Sequence, residues 1–187
     1  AVLLVDPYYN GPSSLEIRRE YVAPVAKAFP EVQIIPYVIP GRTGAQLLPE
    51  DLAILSKSHP NVRTVKEATG NLDNMKHTRA CCGPDFTILS GDDGMTFDLM
   101  TDPLIRGAGV ISVVSNLVPK AMVAFVQSII QKDLAAAKSL LTALEKYYLL
   151  LKEGRTEELD ADYCGHLYGY KVAVPVEIDA RRLHVPV

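Results

Sequence analysis

Hydrophobic positions along this chain alternate between strand-like runs and helical periods. Residues 1–6 form a nearly continuous apolar run, typical of a strand buried on both faces of a parallel sheet. Ser13 and Glu16 then stand at capping-box spacing, which predicts the start of a helix. The alternation continues along the chain. It predicts strands near residues 32–38, 62–66, 86–90 and 109–114, and helices near residues 49–58, 71–82, 96–100 and 119–130.

Repeated strand–helix units favour an α/β fold with a parallel sheet, either doubly wound or closed as a (β/α)8 barrel. No glycine-rich dinucleotide fingerprint and no Walker-type phosphate loop follows a strand, which removes the main support for nucleotide-binding doubly wound sheets. Five strands are predicted, a barrel has eight, and the chain opens inside an apolar run without an initiator Met. We therefore predict a TIM barrel that lacks its first three βα units in this sequence.

The predicted domain organisation assigns residues 1–130 to the partial barrel and residues 131–187 to a C-terminal helical region with an unassigned tail. Asp133 is the predicted N-cap of a long helix, and Gly154 is its predicted stop. Beyond residue 159 the helical period is lost, although residues 171–177 alternate like a strand.

Composition excludes several classes of protein. The chain has 19 Lys and Arg against 22 Asp and Glu, a net charge of −3, so no nucleic-acid footprint and no basic membrane patch is predicted. No apolar run approaches the ~18 residues of a membrane helix. Cys81, Cys82 and Cys164 are too few for a disulfide framework, which favours a reducing compartment and a cytoplasmic location. Cys164 and His166 are too sparse a pair for a zinc site, and the helical Cys81 and Cys82 are interpreted as idle thiols.

Candidate chemistry is sought at the C-terminal ends of the strands, where barrel active sites lie. Lys66 ends the third predicted strand and shares a face with Val62 and Thr64. If that face is the barrel interior, partial desolvation lowers the pKa of the amine, and a neutral amine can attack a carbonyl to form a Schiff base. The alternative is a strand-end lysine whose ammonium group reaches solvent.

Other strand ends carry further candidates. Tyr37 closes the preceding strand, where its phenol could relay a proton, although a tyrosine in a strand commonly packs in the core. Arg42, in the loop of residues 41–44, could bind a substrate carboxylate or be an ordinary surface arginine. Asp92 and Asp93 suit Mg²⁺ or Ca²⁺, but no further ligands stand near them in the sequence, so no metal is predicted.

Five segments together resemble the dihydrodipicolinate synthase family, the Schiff-base-forming pyruvate lyases of lysine biosynthesis. They occur in the family's order and at nearly its spacing, over roughly residues 1–150. The segments are PYYN at 7–10, PGRTG at 40–44, KEATG at 66–70, LSGDD at 89–93 and GVISV at 109–113. The match corresponds to the family's barrel from its fourth strand onward.

The resemblance implies condensation of pyruvate with L-aspartate 4-semialdehyde to 4-hydroxy-tetrahydrodipicolinate, with no cofactor beyond a covalent Schiff base. Lys66 would form that Schiff base with pyruvate, and Tyr37 would be the central proton relay. Tyr9 would complete the relay by reaching into the neighbouring subunit's site. Arg42 would bind the carboxylate of the semialdehyde.

The resemblance also implies an assembly. Gly91 and Ile111 would line the pyruvate pocket through their backbones, and Tyr8 would lie at a dimer contact near a feedback site for lysine. A homo-oligomer, dimer or tetramer, is therefore expected.

Two other interpretations stay open. One is another pyruvate-dependent aldolase, such as a neuraminate or keto-deoxy-sugar acid lyase, and the other is a non-catalytic barrel fragment that acts only as an assembly partner. We also expect residues 1–187 alone to expose an apolar barrel interior and to be inactive.

Overall fold

The computed structural model describes the backbone of residues 1–153 and the side chains of residues 1–150. Five parallel strands form one sheet, and their spatial order is their order along the chain. The strands are β1 (Val2–Val5), β2 (Ile34–Val38), β3 (Thr64–Glu67), β4 (Thr87–Ser90) and β5 (Gly109–Val110). Sequential order without a reversal matches an arc of a (β/α) barrel, since the strand order of a doubly wound sheet reverses at its switch point.

Helices connect the strands and follow the last one. They are α1 (Ser14–Glu16), α2 (Ala23–Ala28), α3 (Pro40–Thr43), α4 (Pro49–Ser58), α5 (Leu72–Cys82), α6 (Thr96–Thr101), α7 (Pro119–Ile130) and α8 (Leu134–Glu153). A π-helical segment, Ile17–Val22, joins α1 to α2, and 3-10 turns occupy Asp93–Met95 and Val114–Asn116. None of the helices in the described part of the chain has the length and apolar character to cross a membrane.

Several predicted helix boundaries agree with the structure. Helices α4 and α7 have their predicted bounds. Ser13 and Glu16 form the reciprocal capping box. Asp133 caps α8, because its Oδ1 accepts the N–H of Ala136 at 3.0 Å. The predicted stop at Gly154 and the strand-like segment 171–177 lie outside the described residues, and the division at residue 130 stays a prediction.

Strand β5 is shorter than predicted. It ends at Val110, whereas the apolar pattern predicts a strand over 109–114. The N–H of Ile111 still donates to Ser90 O at 2.9 Å, and the chain then turns into the 3-10 segment Val114–Asn116. Apolar residues 113 and 114 are therefore part of a turn, which the pattern alone does not distinguish from a strand.

The two faces of the sheet differ in coverage. On the face toward the helices, Ile34 and Val38 of β2 are each 1% exposed and belong to one continuous core with residues of α4 and α5. On the opposite, inner face, Ile35 and Tyr37 are half-buried. Leu3, which pairs with Ile35, is 41% exposed. The main hydrophobic core of the described chain thus lies between the sheet and its outer helices.

Two carboxyl groups are buried on the helix side of the strand ends. Asp6 is fully buried; its Oδ2 accepts the N–H of Leu47 at 3.0 Å, and its Oδ1 has no partner among the residues that the structure describes. Burial raises the pKa of Asp6 to about 7; the Leu47 hydrogen bond opposes this shift and the charge of Glu67 adds to it. Burial also raises the pKa of Glu67, against hydrogen bonds from Thr69 and Asn74.

Replacing Asp6 with Asn should change how stability depends on pH. The folded chain keeps a proton on Asp6 that the unfolded chain releases, because the pKa rises from 3.8 to about 7 on folding. The stabilisation from that proton is full below about pH 4 and is lost as pH rises toward 7. Asp6→Asn should therefore stabilise the fold at pH 8 by on the order of 2–4 kcal/mol, with little effect at pH 4. Urea unfolding between pH 4 and 8 measures this, and parallel pH profiles for the two proteins would contradict it.

Candidate active site

Lys66 and Tyr37 face each other at the C-terminal ends of two neighbouring strands. The parallel register of β2 and β3 pairs Tyr37 directly with Lys66. The Lys66 Nζ lies 3.8 Å from the centroid of the Tyr37 ring, and Lys66 is only 6% exposed. The amine therefore lies at a strand end, beside an aromatic ring and largely out of water.

The groups around Lys66 change the pKa of its amine in opposite directions. Burial lowers the pKa of the Lys66 amine, and the negative charge of Asp93 opposes that shift. The face of the Tyr37 ring also favours the ammonium form. The outcome is a lysine with a pKa below its ordinary value, so a larger fraction of its amine is neutral and nucleophilic at a given pH.

Asp93 organises the loops around this lysine. Its Oδ2 accepts the N–H groups of Val113 and Val114 at 3.0 and 3.1 Å, which ties the loop after β4 to the turn after β5. The sequence pattern suggests Asp93 only as a metal ligand and does not predict this role, because its partners lie twenty residues further along the chain. The signal in the sequence was the acidic residue itself, placed just after a strand end.

Gly91 lies directly against the Lys66 side chain. A Cβ at Gly91 would be 2.8 Å from Ala68 Cβ and 3.0 Å from both Cγ and Cε of Lys66. The N–H of Gly91 donates to Glu67 O at 2.7 Å, which extends the β3–β4 pairing by one step. The structure thus brings Gly91 together with Lys66 and places Ile111 one strand further on, beside Ser90.

Tyr37 keeps its phenolic proton in this setting. Burial raises the pKa of Tyr37; the positive charge of Arg42 opposes this shift and Asp92 adds to it. Arg42 itself is exposed and lies in the short helix α3 rather than in the predicted loop, and Gly44 caps this helix in the left-handed region (φ 66°). The arrangement provides a protonated phenol next to the amine and a guanidinium group at the rim.

Tyr8 and Tyr9 are not brought to Lys66 within one chain. They are 71% and 91% exposed and line a surface cleft of about 460 Å³ with Tyr21 and Glu16. Their predicted roles both involve a neighbouring subunit, and those roles stay predictions.

The fold and site together define a class of protein. A parallel barrel arc with a buried, tyrosine-covered lysine at a strand end is the arrangement of a lysine-dependent aldolase or lyase, in which the amine attacks a carbonyl. The model of the dihydrodipicolinate synthetase family matches residues 1–158, and the chain belongs to this family.

Individual relatives and solved structures support the same family assignment. The chain is 42% identical over 139 residues to a 4-hydroxy-tetrahydrodipicolinate synthase of Geobacter sulfurreducens, a match that covers 74% of this chain and 46% of that relative. Among solved structures, dihydrodipicolinate synthase from Acinetobacter baumannii, complexed with pyruvate, is 34% identical with a TM-score of 0.71, covering 80% of this chain and 49% of that one. The enzyme from Cyanidioschyzon merolae with lysine bound is 32% identical with a TM-score of 0.72, again covering 80% and 49%.

These similarities confirm the barrel-type fold and the family resemblance. The chain spans about half the length of the relatives it matches. What the whole relatives catalyse is therefore transferred to this chain only as a proposal.

Replacing Gly91 with Ala should destabilise the fold through steric overlap. The new methyl group would overlap Ala68 Cβ, which has no flexible end to move aside, and would press on the Lys66 stem. We expect a loss of about 1–3 kcal/mol in the free energy of unfolding. The matched control is Gly94→Ala, whose Cβ would meet only Asp92 Oδ1 at 3.4 Å and should cost less than about 0.5 kcal/mol. Equal unfolding midpoints for the two variants would contradict the close approach at Gly91.

Proposed function

We propose that this chain carries the imine-forming part of a 4-hydroxy-tetrahydrodipicolinate synthase, which condenses pyruvate with L-aspartate 4-semialdehyde. The observation that carries the proposal is the buried Lys66 amine 3.8 Å from the Tyr37 ring centroid at adjacent strand ends. The printed names of the relatives support this activity, and one structural neighbour was crystallised in complex with pyruvate.

The proposed reaction begins with the neutral amine of Lys66. It attacks the keto carbon of pyruvate, and loss of water gives an imine. The imine withdraws electrons, so the adjacent methyl group loses a proton and becomes an enamine carbon. That carbon attacks the aldehyde carbon of the second substrate, and Tyr37 delivers a proton to the oxygen that develops negative charge. The amino group of the bound second substrate then displaces Lys66 and closes the ring.

Other residues have supporting roles in the proposal. Arg42 binds the carboxylate of the semialdehyde through charge-assisted hydrogen bonds. Gly91 and Ile111 offer backbone surface to pyruvate near Lys66. The reaction needs no cofactor beyond the Schiff base.

The proposal extends to the assembly. The chain forms a homo-oligomer, either a dimer or a tetramer, and the exposed Tyr8 and Tyr9 lie at its contacts. Tyr9 reaches the active site of the neighbouring subunit, and Tyr8 lies near a contact that binds lysine. The lysine-bound Cyanidioschyzon merolae neighbour supports that ligand. A cytoplasmic location fits a biosynthetic enzyme of this kind.

Pyruvate with borohydride should leave a reduced covalent adduct on Lys66, because reduction turns an imine into a stable secondary amine. Since the chain spans about half of its relatives, two proteins are compared: the 187-residue chain, and a chimera with the part of the Geobacter sulfurreducens relative that precedes the matched segment placed before residue 1. Peptide mass mapping should find the adduct on Lys66 in the chimera and much less in the chain alone.

Lys66→Arg is the control for this trapping, since a permanently protonated guanidinium cannot form an imine. A label on another lysine, or none in a folded chimera, would contradict the proposal. If the chimera turns over neuraminate instead of aspartate semialdehyde, the chain is a sugar-acid lyase. If Lys66 is labelled but neither substrate is turned over, an assembly role is favoured.

Tyr37→Phe in the chimera should lower kcat by ~10²–10⁴-fold with a smaller effect on the KM for pyruvate, because the ring still covers Lys66 but the proton is gone. Arg42→Ala is the contrasting variant and should mainly raise the KM for the semialdehyde. Steady-state kinetics with each substrate varied in turn measures both. A fully active Tyr37→Phe variant would show that Tyr37 only packs against Lys66 and does not transfer a proton.

A further inference from the structure

Three side chains of different ligand types converge on the outer helical layer. Glu50 lies in the first turn of α4, and His77 and Cys81 lie four residues apart on one face of α5. The carboxylate, imidazole and thiol ligand atoms of these residues all lie within 4.8 Å of one another. We call this the α4–α5 triad.

The triad is separate from the Lys66 site. Helices α4 and α5 pack on the outer face of the sheet, where Val65 is buried in the same core as Leu52 and Met75. Lys66, the next residue of β3, points to the opposite face. Binding at the triad therefore does not involve the residues proposed for catalysis.

The geometry is close to that of a tetrahedral site. Bonds of about 2.0–2.3 Å place neighbouring ligand atoms of a tetrahedral zinc ion about 3.3–3.8 Å apart. His77 Nε2 already lies 3.2 Å from Glu50 Oε1. Ligand atoms of the triad that lie up to 4.8 Å apart must approach each other by about 1 Å to bind one ion. The Glu50 and His77 side chains can rotate to allow this, because they are 59% and 52% exposed.

We propose that the α4–α5 triad binds a borderline divalent cation of the Zn²⁺ class through Cys81 Sγ, His77 Nε2 and a Glu50 carboxylate oxygen, with water as the fourth ligand. A sulfur and a nitrogen ligand beside one carboxylate select Zn²⁺ or Co²⁺ over Mg²⁺ and Ca²⁺, which prefer oxygen. The bound ion would link the start of α4 to the last turns of α5.

The neighbouring charges set the requirement for binding. Burial raises the pKa of the Cys81 thiol; Glu50 adds to this shift and Lys57 opposes it. Cys81 is therefore a thiol before a metal binds, and the metal must displace its proton to bind the thiolate. The adjacent Cys82 has its pKa raised to about 12, chiefly by burial, and lies outside the triad. Cys82 is therefore a matched control for Cys81.

The test is a Co²⁺ titration of the full 187-residue chain in a non-chelating reductant. Coordination by a thiolate gives a sulfur-to-cobalt charge-transfer band in the near ultraviolet, saturating at one ion per chain and removed by added Zn²⁺. Cys81→Ser should abolish the band, and His77→Gln or Glu50→Gln should weaken binding at least tenfold. Cys82→Ser should retain it. Cys164→Ser should also retain it, which separates the triad from the cysteine near His166.

A second measurement uses the unmodified protein. Zn²⁺ should protect Cys81 from alkylation by iodoacetamide, as read by peptide mass mapping, while the labelling of Cys82 is unchanged. The proposal is overturned if Cys81→Ser keeps the charge-transfer band, if Cys82→Ser or Cys164→Ser abolishes it, or if millimolar Zn²⁺ neither binds nor protects Cys81.

Discussion

The parallel register between β2 and β3 is the constraint on which the site depends. It pairs Tyr37 with Lys66, so that the ring covers the amine at 3.8 Å from its centroid. Side chains alternate along a strand, and a slip of one residue would turn Lys66 toward the outer helices and bring Val65 or Glu67 to the inner face. The buried Val65 and Val38 resist such a slip, because both are needed in the core under the helices. Packing on one face of the sheet therefore fixes the chemistry on the other.

The loops beyond the strands hold the same arrangement through buried or half-buried carboxylates. Glu67 accepts the N–H of Thr69, and Asp93 accepts two N–H groups of the turn after β5. Such bonds stabilise irregular backbone that has no ladder partners. Asp6 differs, because its pKa is raised to about 7, mainly by burial, and the hydrogen bond from Leu47 only partly opposes that shift. The strand ends thus combine carboxylates that hold the loop backbone with one that costs stability near neutral pH.

Much of the fold could be predicted from the sequence because its signals are local. The Ser13–Glu16 capping box and the apolar period of α4 depend on residues a few positions apart. The end of β5 was not predictable, because the apolar pattern of residues 109–114 suits a strand and a turn equally well. For the site, the strand pattern placed Lys66 and Tyr37 at neighbouring strand ends. Long-range contacts, such as those of Asp93 with residues 113 and 114, could not be predicted, because their partners lie about twenty positions apart in the chain.

The fold makes the Lys66 amine more acidic than an ordinary lysine, because burial lowers its pKa. The direct measurement is an NMR titration of the chain carrying ¹⁵N-labelled lysine side chains, with the Lys66 signal assigned by its absence in Lys66→Arg. We expect Lys66 to lose its proton at a lower pH than the exposed lysines, below the ordinary pKa of 10.5. A Lys66 signal that titrates together with the exposed lysines would show that the fold does not lower this pKa.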